Sequence, residues 1–189
     1  MTSEMRIAVY CSARSKMDPA IFTAAGEFAR GLVSRGWQLI YGGAKVGLMG
    51  HFADECLKAG GTARGAITRG LAEQNEMPHP GLQELVVVED LFDRKRWMMD
   101  TADAFVIFPG GFGTLDEALE AITWKALGCH TKPVIFVNVN GFWQSQIKAF
   151  QDISARGMIE PGLLNLFEVY DTLEEVWAVL DGGTKGRKV

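Results

Sequence analysis

Pro109-Gly110-Gly111-Phe112-Gly113, followed by Thr114 and three residues later by Glu117, sets an amide-rich loop one helical turn from a carboxylate. Glycines at the mouth of a helix let backbone N–H groups approach a phosphate, and the helix dipole favours negative charge there. A carboxylate beside a phosphate is repulsive unless cations intervene, and Arg94 and Lys95 are the nearest candidates in sequence. The chemistry suggested is a phosphorylated ligand held by amides and basic residues, with one acid at a reacting sugar centre. Two plainer readings stand beside it. Thr-x-x-Glu is also a capping box, which stabilises a helix start and nothing more, and Arg94 with Lys95 also reads as a solvated basic helix face.

Two further loops could share the same crevice: Ser12-Ala13-Arg14-Ser15, and Gly42-Gly43-Ala44-Lys45-Val46-Gly47. Other nucleotide and catalytic patterns fail. Asp116 stands where the third glycine of G-x-G-x-x-G belongs, and no glycine loop ends in G-K-[ST]. No G-x-S-x-G or H-E-x-x-H occurs, and His51, His79 and His130 are isolated. Cys11, Cys56 and Cys129 are odd in number, lack C-x-x-C spacing and sit in apolar contexts, which reads as buried free thiols rather than a disulfide or zinc site.

The elements that must position these loops alternate. Strand patterns at Ile7–Cys11, Gln38–Tyr41, Ala63–Ile67, Leu85–Val88, Ala104–Phe108, Val134–Asn138 and about Phe167–Tyr170 are separated by helical ones. Asp18-Pro19 looks like an N-cap and first helical position, and that helix runs to about Arg35. A second runs from Gly47 to the stop at Gly60-Gly61, and a third from Leu91 to Thr101. Thr114 to Leu127 places Leu115, Ala118, Leu119, Ile122 and Ala126 on one face, as for a helix lying on a sheet. A helix over about Phe142–Arg156 follows, then a last one from Thr172, where Thr172 and Glu175 form a capping box. Continuous apolar strands between helices predict a doubly wound parallel sheet, a Rossmann-like three-layer α/β/α arrangement. Its ligand belongs outside the carboxyl ends of the strands, near the switch in strand order.

Composition narrows the class. The 189 residues carry 19 basic and 23 acidic side chains, for a net charge of −4, which is not the balance of a nucleic-acid-binding surface. The apolar runs are strand-length and too short to span a membrane. Without an apolar leader after Met1, a cytoplasmic location is expected. Glycine is the outlier at 22 residues, above the usual share of about 7%. No linker or repeat interrupts the pattern, so one domain over 1–181 with a frayed glycine-rich tail over 182–189 is expected.

Pro109-Gly110-Gly111-Phe112-Gly113-Thr114-Leu115-Asp116-Glu117 resembles the P-G-G-x-G-T-x-x-E signature of the LOG (Lonely Guy) family, part of which has been labelled "possible lysine decarboxylase". Tyr41-Gly42-Gly43 with Gly47-Leu48-Met49-Gly50 is similar to the family's Y-G-G-G-x-x-G-L-M-G, and Asp93-Arg94-Lys95 to its x-R-K helix; Ile122-Thr123-Trp124 and Lys132-Pro133-Val134 fit as well. The resemblance implies hydrolysis of the N-glycosidic bond of an adenosine 5′-monophosphate, commonly N6-prenylated, to free base and ribose 5-phosphate. It implies Arg94 and Glu117 as the catalytic pair. Lys95, Gly110, Gly111, Gly113 and Thr114 would hold phosphate and ribose, and Glu76 and Thr123 would be further substrate contacts. Ser12, Gly43, Phe112, Leu115 and Asp116 fall at neighbouring substrate-binding positions. No metal or organic cofactor is implied. The family is dimeric through the helix carrying Arg94, where Trp97, Met98 and Met99 would suit a homodimer contact or the monomer core. The chain departs from the family at Cys11-Ser12-Ala13-Arg14, where C-G-S-S is common, and at Ala44-Lys45, where Gly-Ser or Gly-Asn is usual.

Two alternatives accompany this reading. Nonenzymatic relatives that bind molybdenum cofactor carry a similar loop, so a noncatalytic nucleotide or cofactor carrier would use the same residues. A pyridoxal-phosphate lysine decarboxylase would need a buried Schiff-base lysine, and Lys45, Lys58, Lys125 and Lys132 offer no distinguishing context.

Overall fold

Seven short apolar runs become seven strands in the computed structural model, which describes residues 4–74 and 77–182. In chain order the elements are β1 (Arg6–Tyr10), α1 (Pro19–Ser34), β2 (Gln38–Tyr41), α2 (Gly47–Lys58), β3 (Ala63–Thr68), α3 (Arg69–Gln74), β4 (Glu84–Val88), α4 (Leu91–Thr101), β5 (Ala104–Ile107), α5 (Phe112–Ala126), β6 (Val134–Val137), α6 (Gln144–Ala155), β7 (Glu168–Tyr170) and α7 (Leu173–Leu180). Two 3₁₀ turns, Val139–Gly141 and Pro161–Leu166, flank α6.

The strands form one sheet in the order β4-β3-β2-β1-β5-β6-β7, and every pairing is parallel. Strand order reverses between β1 and β5, where Ile7 faces Ala104 and Tyr10 faces Ile107. Pleating sends alternate side chains to opposite faces. Ile7 and Val9 join a core layer with Phe28, Leu32, Phe52 and Trp177, from α1, α2 and α7. Ala8 and Tyr10 join the other, with Met98, Met99, Ala118, Ala121 and Phe150, from α4, α5 and α6. The result is the expected doubly wound three-layer α/β/α fold. Fully burying each Phe, Leu or Ile contributes about 1.5–3 kcal/mol, and both faces of the sheet are covered.

Several local expectations needed correction. α5 begins at Phe112 with Gly111 as N-cap and no side-chain cap. Thr114 is therefore already inside the helix and forms no capping box with Glu117. The buried positions of α5 are Thr114, Ala118 and Ala121, whereas Leu119 is 41% exposed; with Ile122, Leu127 and Phe150 it lines an apolar surface groove. Helix α6 starts two residues later than expected, because left-handed Asn140 and Gly141 turn the chain first. Cys11 and Cys56 are buried, but Cys129 is exposed. Met98 and Met99 point into the chain's own core, which removes them from a subunit contact. Of the expected tail only Gly182 is among the described residues, its amide donating to the Val179 carbonyl at 3.1 Å. No helix among the described residues is long and apolar enough to cross a membrane.

Candidate active site

The loops leaving β1 and β5 are joined at the switch point. Phe108 N–H donates to the Tyr10 carbonyl at 2.9 Å, and Ser12 N–H to the Pro109 carbonyl at 3.3 Å. Between them opens a crevice of about 320 Å³ lined by Cys11, Ser12, Ala13, Arg14, Met49, Arg94, Gly111, Phe112, Gly113, Thr114 and Glu117. That volume lies at the lower end of the range of about 300–1,000 Å³ usual for small-molecule sites. Its position outside the carboxyl ends of the central strands is where this fold class binds ligands.

One wall is the N-terminus of α5. The first amides of a helix have no intrahelical partner, and α5 carries no capping side chain, so this turn presents free donors and positive dipole to the crevice. Gly110 precedes it because a Cβ there would overlap the Thr114 hydroxyl. Glu117 stands one turn further along the same helix and faces the same space.

The opposite wall holds Arg94, only 8% exposed. Its Nε donates to the Ala66 carbonyl and its Nη2 to the Gly42 carbonyl, both at 3.0 Å. These bonds tie α4 to β3 and to the end of β2. A guanidinium has five N–H donors, so Arg94 keeps donors beyond the two bonded to carbonyls. The crevice floor feels both charges. The Cys11 thiol is pushed well up by burial, further up by Glu117, and back down by Arg94; the Tyr10 hydroxyl is raised for the same reasons, burial foremost.

Of the positions expected from sequence, the fold brings Ser12, Arg94, Gly111, Phe112, Gly113, Thr114 and Glu117 into this one crevice. Gly110 lines an adjoining pocket of about 150 Å³ with Ser12, Arg14, Lys16 and Phe142. Others stand apart. Lys95 is turned to the flank of α5, with Nζ 3.1 Å from Asp116 and 3.0 Å from Glu120, so Lys95 and Asp116 spend their charges on each other. Leu115 packs into the core layer beside α4. Thr123 donates its hydroxyl to the Leu119 carbonyl at 2.7 Å and lines the apolar groove. Gly43 lies behind the crevice and accepts the His79 amide at 2.9 Å. Glu76 lies outside the described residues.

Arg14 and Met49 line the crevice although neither is among the expected contact residues; Arg14 lies in the Ser12-Ala13-Arg14-Ser15 loop expected to share the crevice, and Met49 in the Gly47-Leu48-Met49-Gly50 run. The histidines are structural. His51 contacts the Phe22 carbonyl, His130 the Ala121 carbonyl, and His79 the Asp54 carboxylate at 3.2 Å.

The profile of the family described as "possible lysine decarboxylase" matches residues 49–180. A cytokinin riboside 5′-monophosphate phosphoribohydrolase of Rhodococcoides fascians is 38% identical over 159 residues, covering 82% of this chain and 78% of that protein. One from Arabidopsis thaliana is 38% identical over 178 residues, covering 87% and 83%. Among solved structures, the molybdenum cofactor carrier protein of Chlamydomonas reinhardtii superposes with a TM-score of 0.71 at 20% identity, covering 94% of this chain and 96% of that one. At that identity the likeness is one of fold.

Proposed function

The chain belongs to the LOG family, whose profile carries the description "possible lysine decarboxylase", and from that premise we propose that it is an enzyme hydrolysing the N-glycosidic bond of an adenosine 5′-monophosphate. The products are the free base and ribose 5-phosphate, and N6-prenylated AMP is included among the substrates. The observation that carries this reading is the juxtaposition, in one crevice, of the Glu117 carboxylate, the uncapped N-terminus of α5 and the Arg94 guanidinium.

Cleavage of C1′–N9 leaves cationic character on the sugar ring, as in glycoside hydrolysis. Glu117 is the group placed to stabilise that charge and to take a proton from the attacking water. Water oxygen bonds to C1′, and its proton ends on the departing base. The α5 amides at Phe112, Gly113 and Thr114 hold the phosphate, with Gly110, Gly111 and Ser12 shaping its approach. A carboxylate and a phosphate monoanion about 6 Å apart repel by roughly 3 kcal/mol at an effective dielectric of about 20. Arg94, fixed by two carbonyls, offsets that repulsion without having to move. Lys95, Asp116, Leu115 and Thr123 support α4 and α5 from outside the crevice, and Gly43 backs the Arg94 wall. Glu76, outside the described residues, is carried over from the family as a further substrate contact. Attack by an activated water needs no metal or organic cofactor.

The decarboxylase description asks for a Schiff-base amine, and among the described residues no lysine lines the crevice. We further propose that the enzyme works in the cytoplasm as a homodimer through α4, whose Leu91 and Phe92 are 52% and 69% exposed; light scattering on the purified protein tests the dimer.

The decisive experiment incubates the protein and its Glu117→Gln variant with AMP and with isopentenyl-AMP, and quantifies base and ribose 5-phosphate by chromatography. Base release is expected from the parent, reduced by about 10²- to 10⁴-fold in the variant. No release from either substrate, with nucleotide still bound, would replace hydrolysis by carriage.

A further inference from the structure

The two cations that the motif assigns to the phosphate are both engaged elsewhere. Arg94 is buried, with Nε and Nη2 on backbone carbonyls, and the Lys95 ammonium, 12% exposed, is held between Asp116 and Glu120. Arg14 is different. It lines the crevice and also the adjoining pocket, its side chain is exposed, and among the described residues its guanidinium has no hydrogen bond or ion pair. The backbone beneath it is fixed, since the Arg14 amide donates to the Ser12 hydroxyl at 3.0 Å. Ser12 in turn is bonded to the loop that leads into α5. An uncommitted guanidinium thus stands on a fixed turn facing the amide end of α5, across the space a phosphate would occupy. Its planar fork suits bidentate contact with phosphate oxygens.

We propose that Arg14 is the residue that receives the substrate's 5′-phosphate and makes this enzyme select nucleoside monophosphates over nucleosides. The inference rests on the nucleoside-monophosphate reading above. Arg94 then provides the fixed charge near Glu117, and Lys95 ties the two helices together. Lys16, which shares the adjoining pocket with Arg14 but does not line the crevice, makes no direct contact with the phosphate.

The test compares the full-length parent with Arg14→Gln, Arg14→Lys and Lys16→Gln, measuring base release from AMP and from adenosine, and AMP binding by calorimetry. Arg14→Gln should raise KM for AMP and weaken AMP binding by about 10- to 100-fold, the usual cost of losing a charge-assisted bond. The loss should fall on KM more than on kcat, and base release from adenosine, which has no phosphate to contact, should fall less than release from AMP. Arg14→Lys should recover part of the affinity, and Lys16→Gln should match the parent. Unchanged KM and binding in Arg14→Gln would overturn the proposal, as would an equal loss in Lys16→Gln, which would mark a diffuse field instead of a contact. Arg14-dependent AMP binding with no base release by the parent would refute the hydrolase and keep the phosphate contact. A parent that neither binds nor cleaves AMP would refute both.

Discussion

The Arg94 guanidinium occupies the place where a side chain at Gly42 would begin, donating from Nη2 to the Gly42 carbonyl at 3.0 Å. A Cβ built on Gly42 would overlap that same nitrogen. The glycine at the end of β2 and the arginine on α4 are therefore one structural unit, 52 positions apart in sequence.

Gly42→Ala should accordingly act as an arginine mutation made at a distance. The arginine tip is the part that can give way, so the fold survives while the guanidinium leaves its two carbonyls. A displacement of about 1 Å at an active site costs on the order of 100-fold in rate, and a drop of that size in kcat/KM for AMP is expected. Activity equal to the parent's would show that the position of Arg94 does not matter to the reaction.

Lys95→Met tests the division of labour among the cations. Removing the ammonium leaves Asp116 and Glu120 without their shared partner, and because Lys95 is 12% exposed the loss is larger than for a surface pair. A destabilisation of about 1–2 kcal/mol is expected by thermal or urea unfolding, with KM for AMP little changed. A large rise in KM without loss of stability would return Lys95 to the phosphate.

The thiols differ by burial. Cys11 is pushed well up by burial and then by Glu117, and burial takes Cys56 up to about 11. Both stay protonated at pH 8, where thiolate is the reactive form. Titration of the native protein with a chromogenic disulfide should give one fast thiol, the exposed Cys129, and Cys129→Ser should abolish that phase.

Far from the crevice, Arg6 and Asp103 fasten the opposite ends of β1 and β5. The Arg6 side chain holds the Asp103 carboxyl below its ordinary value of 3.8. A carboxyl lowered in the folded state adds stability above its unfolded value and loses it as pH falls through the folded one. The stability difference between the parent and Asp103→Asn should thus be present at pH 7, modest because both groups are more than a third exposed, and should vanish as the solution is acidified below 3.8. A difference that grew on acidification would contradict this coupling.

The sheet was legible because its central strands are buried: β5 and β6 are runs of four buried apolar residues, and such runs between helical patterns leave few alternatives. Glu117 and the amide loop were legible because they are local, a glycine run opening a helix. What sequence could not show is how charges pair through space. Lys95 follows Arg94 directly, yet one turns to Asp116 and Glu120 and the other to Gly42 and Ala66; adjacent positions on a helix point about 100° apart. The α5 stripe holds at Leu115, Ala118 and Ile122, which pack on the core beside the sheet, whereas Leu119 and Ala126 line the surface groove and satisfy the same periodicity. Arg14 was legible as part of a crevice loop and as a departure from the family's motif, but its lack of an ion-pair partner among the described residues was not.

The parallel seam between β1 and β5 also governs how the molecule comes into being. Arg6 and Asp103, which close it, are 97 positions apart, so one edge of β1 waits unpaired while β2, β3 and β4 are synthesised and can dock beside it. Contacts this distant in sequence form slowly, because the entropy of closing the loop must be met first. Ser12 and Arg14 belong to the first half to leave the ribosome, and Glu117 and the N-terminal amides of α5 to the second. No half-made chain contains both walls of the crevice, and the candidate site is complete only when that seam has closed.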